Sequence, residues 1–391
     1  MSIYFDNAGT TATKPEVLEA MSPYLAEQYG NASSIHAVGR EARKAVEKAR
    51  AQVAAAIHAE KEEIYFTSGG TESDNWAVKG AAFAHSGKGR HLITSAIEHH
   101  AVLHSCEWLR AQGFDITYLP VDADGLVCPA DVEAAIRPDT ILVSVMMANN
   151  EIGVIQPIGE IGALARARGI LFHTDAVQAV GAIPVDVKTM NVDMLSLSGH
   201  KIYGAKGAGA LYIRKGARID SLLHGGAQER GRRAGTENLP AIVGLGAAVE
   251  LATRDVEGHA ARLAKLRDKL IDGILTTIPH TRLNGHSTRR LPGNVNVSVD
   301  YIEGEALLLR LDLAGFAASS GSACTSGSLD PSHVLLAIGL SHETAHGSLR
   351  LSLGDHNTVD EVDQLLAELP GIVRSLREMS PVYQDSIRKR M

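Results

Sequence analysis

Short apolar runs rich in β-branched residues alternate with helical stretches between residues 62 and 215 of the chain. Strands that alternate with helices in this way predict a mainly parallel sheet with helices packed on both faces. We therefore expect an α/β fold. The strands of this sheet are predicted in the segments EEIYFTS, HLITSAI, ITYLPV, ILVSVMM, GILFHTD, VDMLSLS and GALYIRK, which makes the sheet seven-stranded.

The pattern then changes and predicts a second, smaller α+β unit. It comprises a helical stretch at about 258–277, the alternating strand NVNVSV, a helix at about 303–313 and the strand-like SLRLSL. A capping-box pair, Thr358 and Glu361, predicts the start of a final amphipathic helix. The chain is thus expected to contain two packed units of different size.

The length of 391 residues also favours two units, because it exceeds what one ordinary hydrophobic core supports. We expect a large domain of residues 15–256 and a small domain that combines residues 1–14 with 257–391. The small domain is predicted to carry a glycine- and serine-rich loop at about 319–333.

Composition narrows the range of partners. With 45% hydrophobic and 21% charged residues, the chain has the composition of a soluble globular protein. Its net charge of −7 indicates neither a nucleic-acid surface nor an anionic-membrane surface. The first residues, MSIYFDNAGTTATKPE, lack the basic end and apolar run of a signal peptide, and no later segment reaches membrane-spanning length. We expect a cytoplasmic protein.

The three cysteines include no C-x-x-C pair, so neither a disulfide framework nor a metal cluster is predicted. Cys324 lies in SSGSACTSGSLDPSH, where the flanking glycines and serines favour a mobile, accessible thiol over a core position. The residues alone leave two possibilities open, an incidental loop cysteine and a reactive thiol. Cys106 and Cys128 lack such a setting, and we interpret both as structural.

Polar side chains follow five of the predicted strands at the points where these strands end. In a parallel sheet, ligands bind beyond the carboxyl ends of the strands. We therefore expect these side chains to converge on one binding site. They are Thr71, Glu98 to His100, Asn149 to Glu151, Asp175 to Gln178, and Ser198 to Lys201.

Three of these residues suit a pyridine aldehyde cofactor. Lys201, at a strand end beside hydroxyl and imidazole groups, is placed to bind an aldehyde as a Schiff base, although a surface turn lysine is the alternative. Asp175 suits a pyridine nitrogen, which it would keep protonated so that the ring accepts electrons, although a helix cap is the alternative. Gln178, one predicted helical turn later, suits the ring hydroxyl.

Three further motifs gain meaning beside such a cofactor. In TSGGTESDN a strand runs into a glycine turn and a helix start, where Gly70 and Thr71 favour phosphate binding or form only a turn with an N-cap. His99 or His100 suits stacking on the ring or proton transfer, with a solvent-facing loop as the alternative. Asn150 in ANNEIG suits a cofactor or substrate contact, or belongs to a plain turn.

The motifs SGHK, HTDAVQ, TSGGTES, EHHAVL and ANNEIG, in their spacing here, resemble those of fold-type I pyridoxal phosphate enzymes. The resemblance is specifically to the cysteine desulfurases of the class V aminotransferase family, and it extends from FDNAGTTATKP to AHGSLRLSLG. It implies a fold-type I enzyme with pyridoxal 5'-phosphate as cofactor, L-cysteine as substrate and a homodimeric assembly.

The resemblance also implies roles for single residues. Lys201 would bind the cofactor covalently, Asp175 would face the ring nitrogen and Gln178 the ring hydroxyl, while His99 would stack on the ring. Asn150 and Arg350 are implied to bind the substrate carboxylate, which a guanidinium grips through two hydrogen bonds. The implied phosphate-binding positions are Gly70, Thr71, Ser198 and His200, with Gly199 beside them, and Thr236 of RRAGTEN, which would reach the phosphate of the other subunit.

The loop around Cys324 is similar to the sulfur-accepting loop of the NifS/IscS group, and Gly327 and His333 bring it nearer to the nitrogen-fixation branch than to the housekeeping one. This similarity implies that Cys324 takes the sulfur of cysteine as a persulfide and passes it to an acceptor such as an iron-sulfur scaffold. Lys201 would remove the Cα proton, and His99 is our candidate for deprotonating Cys324.

Two positions depart from the family pattern, since Leu351 stands where an aromatic residue is expected and Asp355 where a basic one is expected. The terminal SPVYQDSIRKRM does not match the docking tail of housekeeping relatives, so the sulfur acceptor stays open. An aminotransferase, a selenocysteine lyase and a non-catalytic scaffold are the rival functions. Lys201, Asp175 and Cys324, all intact, argue against the last.

Overall fold

The structure is a computed structural model that describes residues 2–320, 331–381 and 383–384. Cys324 and Gly327 therefore lie outside the described residues. The strands are β1 (Ile3–Tyr4), β2 (Ile64–Thr67), β3 (His91–Ser95), β4 (Asp115–Leu119), β5 (Thr140–Ser144), β6 (Leu171–Asp175), β7 (Met194–Ser198), β8 (Gly209–Ile213), β9 (Thr281–Leu283), β10 (Asn294–Val299), β11 (Phe316–Ala317) and β12 (Ser348–Ser352).

Fourteen α-helices are described, some of a single turn, besides two short 3-10 helices at Lys61–Glu63 and Gly199–Lys201. They are α1 (Pro15–Met21), α2 (Pro23–Ala26), α3 (Ala37–Ala56), α4 (Gly70–His85), α5 (His100–Ala111), α6 (Pro129–Ala135), α7 (Ile158–Ala167), α8 (Gln228–Gly231), α9 (Leu239–Thr253), α10 (Val256–Thr277), α11 (Gly304–Leu313), α12 (His333–Ala337), α13 (His342–His346) and α14 (Val359–Met379). Within the described part of the chain, none of the helices is long and apolar enough to cross a membrane.

The main sheet has seven strands in the order β2-β8-β7-β6-β5-β3-β4, which confirms the predicted sheet and the α/β class. Strand β8 runs antiparallel to β2 and β7, and the other neighbouring strands are parallel. The carboxyl ends of β3, β5, β6 and β7 therefore meet at one edge. The polar segments predicted to converge begin at that edge.

The second sheet is antiparallel, in the order β12-β10-β9, and α10, α11 and α14 pack around it. The capping box of α14 is formed as predicted, since the Thr358 side chain accepts the Glu361 N–H and the Glu361 carboxylate accepts the Thr358 N–H. Strand β1 pairs with β11, so the amino terminus packs against this unit. Phe5 belongs to the same apolar cluster as residues of α10, β10 and α14. The division of the chain at residues 256 and 257 stays a prediction.

Candidate active site

A cavity of about 390 Å³ lies at the carboxyl edge of the main sheet. Most of the predicted site residues line it, namely Gly70, Thr71, His99, Asn150, Asp175, Gln178, Ser198, His200, Lys201 and Arg350. Gly199 is buried beside the cavity, and Thr236 is exposed outside it. Cys324 lies outside the described residues. The strand ends thus converge as the sequence predicted.

The Lys201 amine points into this cavity and not to the surface. Its Nζ donates hydrogen bonds to the backbone oxygens of Ala8 at 2.5 Å and Gly9 at 2.6 Å. Both carbonyls belong to the turn that follows β1. The surface-lysine alternative is therefore wrong, and the amine is held where a ligand in the cavity can reach it.

Asp175 is the last residue of β6 and is 5% exposed. Its Oδ1 accepts the Val177 N–H at 2.9 Å in a turn, so neither the helix-cap alternative nor the helical placement of Gln178 is correct. Gln178 Nε2 instead donates to the Ala8 oxygen at 3.0 Å. Burial raises the pKa of Asp175 to about 6, while the Val177 N–H and the Lys201 charge act in the opposite direction.

His99 is the N-cap of α5, which corrects the loop-histidine alternative. Its Nδ1 accepts the Ala101 N–H at 3.1 Å, so the neutral ring carries its hydrogen on Nε2. Burial lowers the pKa of His99 to about 4, and the neighbouring His100 and Lys201 add to this effect. The ring is consequently neutral at physiological pH, and its cap bond fixes its orientation.

The start of α4 has the features of a phosphate site. The N-cap Gly69 has a φ of 152°, which favours glycine. A Cβ on Gly209 would lie 2.6 Å from the Gly69 Cα, so β8 and this turn approach too closely for a side chain. An adjoining cavity of about 360 Å³ is lined by Gly70, Thr71 and other residues, including Ser198, His200 and Lys206. Backbone N–H groups at the start of a long helix bind phosphate.

Arg350 on β12 is 2% exposed and reaches the cavity from the second unit. One NH2 hydrogen bonds to Asp6 Oδ1 at 2.8 Å, and one NH1 hydrogen bonds to the Asn150 oxygen at 3.3 Å. Its Nε is buried and has no hydrogen-bond partner among the described residues. A buried guanidinium with an unsatisfied N–H suits a carboxylate ligand.

Sequence reasoning missed the turn of residues 6–11. Asp6 binds Arg350, Ala8 and Gly9 bind Lys201, and Thr10 Oγ1 lies 3.1 Å from Nδ1 of His200. Three of these contacts are made by backbone oxygens or a hydroxyl, which no residue pattern marks. The only signal was FDNAGTTATKP, which belonged to the resemblance but had no assigned role.

Buried charges hold the segment that leads to Thr236. Arg50 on α3 donates two hydrogen bonds to Glu229, at 2.7 and 2.8 Å, and Glu229 also accepts the Phe66 N–H at 2.9 Å. Glu229 and Arg230 have left-handed φ values of 46° and 59°, an unfavourable conformation for such residues. The ion pair thus fixes a strained turn just ahead of Thr236.

The structure shows what surrounds the two residues that depart from the family pattern, Leu351 and Asp355. Leu351 is fully buried in the second apolar cluster. Asp355 pairs with Lys14, and its Oδ1 lies 3.0 Å from Nε2 of His259. The Asp355 N–H donates to the Tyr203 hydroxyl at 2.7 Å. The Asp355 carboxylate thus pairs with Lys14 and His259, while its backbone N–H reaches Tyr203, two residues after Lys201.

The other two cysteines differ from each other. Cys106 is buried in the apolar cluster beside α4 and α5, and burial raises the pKa of its thiol to about 12. This agrees with a structural role. Cys128 is exposed at the start of α6, so packing gives no support to such a role there.

The sequence of the chain matches the model of one protein family, aminotransferase class-V, over residues 3–365. Because this match spans most of the chain, the protein belongs to the class-V aminotransferase family. Within that family, it is similar to a cysteine desulfurase IscS of Methanosarcina thermophila, with 61% identity over 99% of this chain and 96% of the relative.

Other relatives agree. A cysteine desulfurase IscS of Clostridium botulinum is 56% identical, with 99% of this chain and 98% of the relative covered. A solved NifS-like protein superposes with a TM-score of 0.91 at 40% identity, covering 96% of this chain and all of that one. The solved structure of SspA in complex with cysteine has a TM-score of 0.80 at 40% identity, covering 92% and 100%.

Proposed function

We propose that the protein is a pyridoxal 5'-phosphate-dependent cysteine desulfurase, which converts L-cysteine into L-alanine and takes the sulfur as a persulfide on Cys324. The observation that carries the proposal is the joint placement of the Lys201 amine, the Asp175 carboxylate and the start of α4 around one cavity. The identity of 61% to a cysteine desulfurase supports the substrate.

The residues of the cavity fit the cofactor. Lys201 would bind its aldehyde, Asp175 its ring nitrogen and Gln178 its hydroxyl. The glycine-lined start of α4 would bind the phosphate together with Ser198 and His200. When bound, the cofactor supplies a protonated pyridine ring that accepts electrons from the substrate carbon.

The Lys201 amine would act as the base of the reaction. With its amine free, Lys201 would take the Cα proton of cysteine. The oxygens of Ala8 and Gly9, which accept its hydrogen bonds here, offer a holding position within the cavity. Arg350 would bind the substrate carboxylate, with Asn150 beside it.

The sulfur step would belong to Cys324. Its thiolate attacks the substrate sulfur, so that an S–S bond forms while the Cβ–S bond breaks and leaves its electron pair with the carbon. Protonation of that carbon, Cβ, and return of a proton to Cα, with Lys201 or His99 as the donors, would then give alanine. An ordinary thiol has a pKa of about 8.5, so a nearby base has to assist. Since His99 Nδ1 is engaged by the Ala101 N–H, His99 can accept this proton only by giving up its cap bond.

We further propose a cytoplasmic homodimer in which Thr236 reaches the phosphate of the other subunit. Its exposure outside the cavity in the single chain supports this role. The sulfur acceptor is proposed to be a protein such as an iron-sulfur scaffold. The large domain would comprise residues 15–256, and residues 1–14 would join the small one.

The proposal is tested by incubating the cofactor-loaded protein with cysteine, measuring alanine and sulfide, and mapping the persulfide by mass spectrometry. We expect equal amounts of alanine and transferred sulfur, with the extra sulfur on Cys324. Cys324→Ala should keep the visible cofactor absorbance and lose the persulfide, while Cys128→Ala serves as the matched control. Undiminished sulfur release by Cys324→Ala would refute the role of this thiol.

A further inference from the structure

Three carboxylates lie buried beside the floor of the cavity, although the proposed mechanism uses only one. Asp74 on α4, Glu98 and Asp175 are 1%, 0% and 5% exposed. Asp74 and Asp175 both line the cavity, and the described cation that also lines it from the large unit is Lys201. Placing several negative charges in one dry site is costly, so some of these groups have to hold protons.

Asp74 has the least support for a negative charge. Its Oδ1 is buried and has no hydrogen-bond partner among the described residues. The closest ring is that of His173 on β6, whose Nε2 lies 3.6 Å from this oxygen. Ser196 on β7 hydrogen bonds to the Asp74 carboxyl, and Asp175 and Glu98 face it with charges of the same sign.

His173 does not supply a compensating charge. Both ring nitrogens have hydroxyl partners, because Nδ1 lies 2.8 Å from Ser144 Oγ and Nε2 lies 3.0 Å from Ser196 Oγ. Two serine hydroxyls satisfy a neutral imidazole as well as a protonated one, because each hydroxyl can donate or accept a hydrogen bond. The ring is fully buried, which lowers the pKa of His173 to about 3.

We infer that Asp74 stays protonated beside a neutral His173, so that the negative charge next to the cofactor ring rests on Asp175. Asp74 is then a positioning residue that acts through Asp175, and this inference rests on the proposed cofactor. Two adjacent carboxylates in a dry site do not both ionise. Burial and the charge of Asp175 raise the pKa of Asp74 well above its usual value, which agrees with the geometry.

The first test uses the apoprotein and is independent of cofactor and catalysis. Asp74→Asn replaces a neutral acid by a neutral amide of the same shape. In the wild type, the native state holds a proton that the unfolded chain releases above about pH 4. The unfolding equilibrium constant of the wild type should therefore rise about tenfold more per pH unit than that of D74N.

The measurement is urea unfolding at one protein concentration between pH 5 and pH 8, with Glu305→Gln, an exposed carboxylate on α11, as the control. The inference is supported if the ratio of the wild-type unfolding constant to that of D74N rises about tenfold per pH unit, while the ratio of wild type to E305Q stays constant. Parallel curves for the wild type and D74N would overturn it, even if desulfurase activity is present. Absence of desulfurase activity in the wild type, together with the expected difference in slope, would instead count against the proposed function.

A second test uses the cofactor-loaded protein and the pH midpoint of its visible absorbance. D74N should leave this midpoint in place. An ionised Asp74 would instead shift it downwards by about 1 to 3 units on replacement, and such a shift would contradict the inference. If D74N does not fold, infrared spectra of the wild-type apoprotein with and without ¹³C-carboxyl aspartate decide the question. A protonated aspartic acid gives a carbonyl band that shifts with the isotope. The absence of this band at pH 7 would overturn the inference.

Discussion

Single side chains in this cavity have two functions at once, and substitutions can separate them. His99 caps α5 through Nδ1 and also presents its ring to the cavity. Asp175 closes a turn through the Val177 N–H and also lines the cavity, where it would face the ring of the proposed cofactor. A loss of activity on substitution therefore has a structural part and a chemical part.

For His99, asparagine keeps the cap and removes the imidazole. Asn is among the best N-cap residues, so His99→Asn should retain the free energy of unfolding, whereas His99→Ala should lose about 1 kcal/mol. Both variants should form alanine roughly 10² to 10⁴ times more slowly if the ring moves protons. Urea unfolding and alanine assays measure the two parts, and full activity in His99→Asn would limit His99 to its cap.

The pKa of about 6 for Asp175 predicts a pH dependence of cofactor binding. The carboxylate is ionised above this value, and only the ionised form pairs with a protonated ring nitrogen. The affinity of the apoprotein for pyridoxal 5'-phosphate should thus rise from pH 5 to pH 7 and then level off. Asp175→Asn should bind weakly with no such rise, as spectroscopic titration would show. A wild-type affinity that is flat across this range would speak against the pairing.

The same shift makes Asp175 a cost to the apoprotein. Its folded pKa is above the unfolded value of about 3.9, so its contribution to stability is complete below pH 4 and is lost as the pH rises through 6. The difference in the free energy of unfolding between Asp175→Asn and the wild type should accordingly favour the variant more at pH 7 than at pH 4. The site exchanges stability for a charge that the cofactor requires.

At the scale of elements, the strained turn in α8 depends on one ion pair. Glu229→Gln would leave the buried Arg50 with the half-exposed Glu47 as its charged partner, and breaking a buried pair costs about 3 to 5 kcal/mol. Because the turn precedes Thr236, we expect lower cofactor affinity as well as lower stability. Urea unfolding and cofactor titration measure the two effects.

A matched control for this prediction lies on the same helix, α3. Glu41 forms a surface pair with Lys44 in which both side chains are more than half exposed. Exposed pairs of this kind add little to stability. Glu41→Gln should therefore behave like the wild type, and an equal loss in both variants would contradict the special role of the Glu229 pair.

Gly209 allows β8 to approach the phosphate turn. A Cβ there would lie 2.6 Å from the Gly69 Cα and 2.7 Å from the Leu197 oxygen, and backbone atoms yield less readily than side chains. Gly209→Ala should push the start of α4 away and raise the dissociation constant of pyridoxal 5'-phosphate. Gly159→Ala on α7 is the control, because a Cβ there meets open space. Equal affinities in wild type and Gly209→Ala would refute the close-packing explanation.

At the scale of the molecule, the Asp355 N–H links the second unit to the Tyr203 hydroxyl of the main one, and the Asp355 carboxylate pairs with Lys14 and His259. Asp355→Arg would restore the basic residue expected from the family but would place it among Lys14, His259 and Arg262. We expect a lower melting temperature for Asp355→Arg than for Asp355→Asn, since like charges repel while an amide only loses the attraction. Calorimetry of both variants decides this, and an unchanged melting temperature in Asp355→Arg would oppose it.

A site residue can be predicted from the sequence when a strand end positions it, but not when packing or a backbone carbonyl gives it its role. Strand periodicity and strand ends located Thr71, Asp175 and Lys201, because parallel strands bring their ends together whatever the loops do. Arg350 came only from the resemblance, since it lies inside a strand of the second unit. Asp74 was invisible, because a carboxylate within a helix looks solvated until packing is known. The carbonyls of Ala8 and Gly9 were invisible because every residue has one.

The turn of residues 6–11 also sets an order of events during synthesis. It is synthesised well before several of its partners, which lie more than 300 residues further along the chain. Asp6 cannot bind Arg350, Ala8 cannot bind Ser352, and β1 cannot pair with β11 until these later segments have been synthesised. Contacts of such long separation form late in folding. The cavity can therefore close only after β12 has been translated, and no nascent fragment that ends before β12 should bind pyridoxal 5'-phosphate as the full chain does.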